Sequence, residues 1–149
     1  STREFDLLPG VTEGLVSLKN AGYLVVVVTN QPDVATGRQT RQVVDAIHKE
    51  LVARVPVDDI RVCFHTDTHR CKCRKPLPGM LLAAAAELRI DLPRSYMVGD
   101  RWRDVDAGHA AGCQTIFIQS GYDERQPDHC DLVVDSFAEA SRAIINQLT

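Results

Sequence analysis

The run from Tyr23 to Val28 is apolar throughout and dominated by valine. Alternation of polar and apolar residues, the mark of a sheet with one wet face, is missing from it. An uninterrupted β-branched run of this kind belongs to a strand covered on both faces, as in a parallel sheet between helices. The rest of the chain repeats the theme, with short apolar runs alternating with helical periods. Pro9-Gly10 opens a first helix that carries Val11, Leu15 and Leu18 on one face and stops at Gly22. Thr40 caps a second helix with Val43, Val44, Ile47 and Leu51 as its core face. Asp59 to Phe64 reads as a second strand, and a loop rich in Cys and His leads to Pro78-Gly79. A helix follows over about Met80 to Leu88, where the alanines from 83 to 86 favour it. Ser95 to Val98 is a third strand, ending in Gly99-Asp100; a helix begins near Arg103 and stops around Gly112. Thr115 to Ile118 and Leu132 to Val134 are the fourth and fifth strands, and Ser136 to Glu139 is a capping box that opens the last helix. Strands separated by helices imply an α/β fold with right-handed crossovers and a site at the carboxyl ends of the strands.

Composition narrows the function. At 149 residues the chain is one domain's worth, read as a single domain over 1–149. With 44% hydrophobic and 25% charged residues it is neither disordered nor of low complexity. No apolar run reaches the ~18 residues of a membrane helix, and the polar start Ser1-Thr2-Arg3-Glu4 has no secretory character, so a cytoplasmic location is expected. A net charge of −3 and 5% aromatics argue against a nucleic-acid partner, including a zinc-ribbon binder.

The residues just after the strands are the candidates for chemistry. Thr29, Asn30 and Gln31 follow the first strand, where a hydroxyl and amides can donate to phosphate oxygens; an ordinary loop start is the alternative. Asp100 and Asp104 follow the third strand, one at its end and one at the helix start, and carboxylate oxygens there suit Mg²⁺. Asp104 taken alone fits equally well as a helix-start acid favoured by the macrodipole. Arg74-Lys75 offers a fork and a point charge for an anion, or else a solvated basic pair.

Three of the five cysteines fall between positions 63 and 73. Cys63, His65, Cys71 and Cys73 match the closed tetrahedral set of a structural zinc site, which leaves no position for a catalytic water. His69 is a second choice of ligand to His65, and free thiols in a loop are the alternative. A zinc ion there would pin the loop that presents Arg74 and Lys75. Cys113 and Cys130 read as small buried or semi-buried thiols. His48 reads as solvent-facing, and His109 and His129 have no partner motif. Trp102 either walls a pocket or covers a helix start.

Taken in order, Val-Val-Val-Val-Thr-Asn-Gln (25–31), the Cys-x-His and Cys-x-Cys loop, Cys-Arg-Lys-Pro-x-Pro-Gly-Met (73–80) and Tyr-Met-Val-Gly-Asp-x-x-x-Asp (96–104) resemble the haloacid dehalogenase (HAD) superfamily of phosphohydrolases. More narrowly, they resemble its histidinol-phosphate and D-glycero-D-manno-heptose-1,7-bisphosphate phosphatase branch. The resemblance implies a Rossmann-like three-layer sandwich with a parallel sheet and a zinc-stapled loop. It implies that Thr29 binds the transferring phosphoryl group beside Asn30, that Lys75 neutralises it, and that Arg74 and Arg101 contact substrate. Asp100 would hold Mg²⁺ with Asp104 in support, and Cys63, His65, Cys71 and Cys73 would hold zinc. The partner is then a small phosphorylated metabolite, with heptose bisphosphate favoured over histidinol phosphate on the likeness of the 73–80 and 96–104 stretches.

One departure matters. The family opens with a strand ending in Asp-x-Asp-Gly, whose first Asp is the nucleophile. Here Glu4 and Asp6 follow no apolar strand. Ser1 is therefore expected to lie downstream of a missing central strand, between those ending at Thr29 and Asp100, and the 149 residues alone are expected to be inactive. The gap would be closed by direct pairing of those two strands, filled by a strand borrowed in a swapped oligomer, or left open at a cost in stability; a monomer is the default. A non-catalytic zinc-binding domain of HAD descent is the alternative reading.

Overall fold

A computed structural model describes residues 10–30, 40–63, 75–119 and 126–146. In chain order the elements are α1 (Val11–Asn20), β1 (Val26–Asn30), α2 (Arg41–Arg54), β2 (Asp59–Cys63), α3 (Gly79–Leu88), a 3₁₀ turn (Leu92–Arg94), β3 (Tyr96–Gly99), α4 (Trp102–Ala111), β4 (Gln114–Ile118), β5 (Leu132–Val134) and α5 (Phe137–Ile145). All strand pairings among the described residues are parallel, in two groups: β1 with β2, and β3 with β4 with β5. The α/β class expected from the alternation is what forms. The expected direct pairing of the strands ending near Thr29 and Asp100 is not seen among the described residues: β1 pairs with β2, and β3 with β4.

The expected elements are all present, with shifted ends. β1 was expected over Tyr23–Val28 and runs Val26–Asn30. Hydropathy marks the buried length, whereas pairing marks the strand: the Val25 carbonyl accepts from Asp58 N at 2.8 Å, and the ladder then runs from Val26↔Asp59 to Asn30↔Cys63. Polar Thr29 and Asn30 are thus part of β1. The caps behave as their chemistry predicts. Val43 N donates to Thr40 Oγ1 at 3.2 Å at the head of α2. Glu139 N donates to Ser136 Oγ at 3.1 Å at the head of α5, and the Glu139 carboxylate reaches back to Asp135 N at 3.1 Å, one residue earlier than a standard capping box.

Among the described residues two clusters make the core. One gathers Leu18, Ile116, Val134, Ala140 and Ile144, joining α1 and α5 to β4 and β5. Here the chain approaches itself closely: a Cβ on Gly14 would sit 2.8 Å from the Phe137 ring. The second gathers Leu81, Met97, Ala107 and Cys113, with Val28 of β1 against it. Gly108 lets α4 lie directly on Met97 of β3, where any side chain at 108 would overlap the methionine. Burial raises the Cys113 thiol above its ordinary value, as suits an inert packing group. His48, expected to face solvent, is half-buried, and that burial lowers its pKa.

Candidate active site

The carboxyl ends of β1 and β3 lie on either side of the division between the two strand groups. Lys75, at the foot of the loop that leads into α3, spans it. Its Nζ donates to the Val28 carbonyl of β1 at 3.2 Å and to Asp104 Oδ1 in the first turn of α4. Both side chains of this ion pair are largely covered, 11% exposed for Lys75 and 13% for Asp104. Losing either partner would leave the other charge poorly solvated, which makes the pair a fixed feature rather than a surface contact.

Asp104 reaches that position because Gly99 has no side chain. A Cβ at 99 would fall inside the Asp104 carboxyl group, so the Gly-Asp turn after β3 is built around that carboxylate. Asp100 follows directly and is half-buried. Its pKa is raised, first by burial and then by the negative charge of Asp104, against the opposing pull of a backbone hydrogen bond and the Arg101 and Lys75 charges. Two carboxylates and one ammonium thus share a partly dry space at the strand ends. Such a space holds an ionised Asp100 poorly on its own, and it suits a divalent cation coordinated by oxygen.

The structure brings Lys75, Asp100 and Asp104 together, with Thr29 next to the Val28 carbonyl that Lys75 grips. Asn30 closes β1 in register with Cys63, which ends β2 completely buried. Arg101 is exposed and occupies the N-cap of α4, its extended backbone offering no side-chain cap. Arg74 and the expected zinc ligands His65, Cys71 and Cys73 lie outside the described residues, as does His69. Among the described residues no group of three or more His, Cys, Asp or Glu side chains is arranged around a metal position.

Sequence patterns pass over Arg103, whose Nη1 donates to the Lys75 carbonyl at 3.3 Å and whose guanidinium lies 4.8 Å from the centre of the Trp102 ring. Its only signal was adjacency to Asp104. The stack of His109 on His129, centroids 4.6 Å apart, was equally invisible, since it joins α4 to the segment before β5.

Known proteins resemble the chain in sequence and in fold. The HAD-hydrolase-like family pattern matches residues 72–140. The D-glycero-beta-D-manno-heptose-1,7-bisphosphate 7-phosphatase of Pseudomonas putida is 34% identical over 147 residues, 93% of this chain and 84% of the relative. That of Escherichia coli K12 is 35% identical over 158 residues, 96% of this chain and 83% of the relative. The crystal structure of D,D-heptose 1,7-bisphosphate phosphatase from B. bronchiseptica, complexed with magnesium and phosphate, superposes with a TM-score of 0.86 at 31% identity, covering 99% of this chain and 88% of that one. A HAD-like phosphatase structure from Mesorhizobium loti gives 0.80 at 30% identity, over 99% and 78%. The chain belongs to the HAD superfamily of phosphatases, in the family of the heptose-bisphosphate phosphatases.

Proposed function

We propose that the protein is a Mg²⁺-dependent phosphomonoesterase acting on D-glycero-D-manno-heptose 1,7-bisphosphate or a close sugar phosphate. The observation that carries this is the Lys75 ammonium held between the end of β1 and Asp104. Phosphoryl transfer asks mainly for positioning and for cations around the transferring group. Lys75 supplies a fixed positive charge where Thr29 supplies a hydroxyl, so both meet one phosphoryl group. Asn30, Arg74 and Arg101 contact the rest of the substrate.

Asp100, with Asp104 in support, would hold Mg²⁺, which supplies charge neutralisation at the phosphoryl oxygens. The raised Asp100 pKa fits that role, because a neighbouring cation relieves the burial and like charge that now disfavour the carboxylate. Cys63, His65, Cys71 and Cys73 would hold a structural zinc ion that steadies the loop before Lys75. We read residues 1–149 as one domain, cytoplasmic and monomeric.

The test is phosphate release from the heptose bisphosphate with Mg²⁺. Asp100→Asn is expected to lower kcat by about 10³-fold, the scale of losing a charge-stabilising group. Equal turnover by wild type and Asp100→Asn would refute the reading. Preferential hydrolysis of histidinol phosphate would keep the site and change the substrate. Removal of metal by EDTA should abolish turnover.

A further inference from the structure

Resting on that phosphatase reading, we propose that Arg103 is the positioning residue for Lys75. A lysine side chain has a flexible four-carbon stem, and an ammonium at its end is poorly aimed unless the backbone beneath it is fixed as well. The first turn of α4 holds Lys75 at both ends. Asp104 takes the ammonium, and Arg103 Nη1 takes the backbone carbonyl at 3.3 Å. These are consecutive residues of one helical turn, so the two grips keep a constant separation. That separation sets the course of the Lys75 side chain toward the Val28 carbonyl.

Arg103 is itself placed by Trp102, over whose ring its guanidinium lies at 4.8 Å. A planar guanidinium can stack on an indole and still donate in its own plane, whereas an ammonium cannot do both with the same geometry. Trp102 thus acts as a shelf for the arginine. The clamp leaves the Lys75 charge itself untouched, so its loss shifts where the charge sits rather than removing it. Misplacement of a catalytic group by around 1 Å is enough to cost on the order of 10²-fold in rate.

The experiment uses the protein with Arg103→Ala, Arg103→Lys and Trp102→Leu. Two readouts are taken: the rate at which acetic anhydride acylates each lysine, followed by mass spectrometry, and kcat and KM for Mg²⁺-dependent hydrolysis of the heptose bisphosphate. Arg103→Ala is expected to speed acylation of Lys75 about fivefold or more while Lys19 and Lys49 keep their rates, and to lower kcat by roughly 10- to 100-fold with a smaller change in KM. Arg103→Lys should leave most of the Lys75 exposure and of the kcat loss in place, because an ammonium cannot both stack on Trp102 and donate to the Lys75 carbonyl, and Trp102→Leu should give a weaker version of the alanine result. Unchanged Lys75 acylation, or faster acylation of all lysines together, would overturn the inference. If Arg103→Ala does not fold, Arg103→Lys and Trp102→Leu decide by the same criteria. If the wild type hydrolyses nothing, the phosphatase reading fails while the acylation rates still decide the role of Arg103.

Discussion

Among the described residues, complete burial of side chains gathers mostly around one of the two strand groups. Around β3, β4 and β5, Val105, Ala107, Ile116 and Ala140 are completely buried, and α1, α4 and α5 pack directly on these strands or on each other. Around β1 and β2, Val55 and Cys63 are buried, yet Val43 and Val52 of α2 stand 45% and 49% exposed. Among the described residues the core clusters centre on β3, β4 and β5, and β1 meets them through Val28. The proposed chemistry falls at the division between the two groups, where Lys75 reaches from one to the other. Half-buried charges with incomplete solvation are tolerated where a well-packed half can carry their cost.

The contrast can be broken most severely from the packed side. Ile116→Ala removes a fully buried side chain at the centre of the first cluster and is expected to cost about 3–4 kcal/mol, read by denaturant unfolding. A cost under about 1 kcal/mol, the range for half-exposed sites, would mean that the packed half is no tighter than the other.

A smaller effect is expected where the two halves are tied at the opposite end of the strands. Lys19 of α1 donates to both Asp58 oxygens at 2.7 and 2.8 Å, and Val25 N donates to Asp58 Oδ2 at 2.6 Å. Burial pushes the Asp58 carboxyl up, but the hydrogen bonds from Lys19 and Val25 and the Lys19 charge outweigh it and hold it below its ordinary 3.8. Its contribution is therefore present above the unfolded value and lost as pH falls through the lower folded one. Asp58→Asn should cost about 1 kcal/mol at neutral pH, and the difference from wild type should vanish in strong acid. A pH-independent difference would show that packing, not charge, makes this tie. The smallest effect is expected in α2: Val52→Thr should change stability by less than about 0.5 kcal/mol.

The sequence made the elements legible because hydropathy period and cap chemistry are local. Thr40, Ser136 and Gly112 do at the helix ends what such residues do anywhere. Strand ends were less legible, since Thr29 and Asn30 are strand only by pairing with Val62 and Cys63. Within the site, Asp100 and Asp104 could be read from spacing. The Lys75 grip on the Val28 carbonyl could not, because it joins residues brought together only when α4 packs on β3. Gly99 and Gly108 explain that packing, and Arg103 follows from it; none of the three shows its role outside the folded chain.

The central claim is that phosphate is bound at the division between the two strand groups. Its most direct test is amide chemical-shift mapping of residues 1–149 titrated with inorganic phosphate and Mg²⁺. The account predicts that the largest shifts gather at Thr29, Lys75 and Asp100 to Asp104, with the β4–β5–α5 region unmoved. Shifts centred elsewhere, or none at those residues at saturating phosphate, would contradict it.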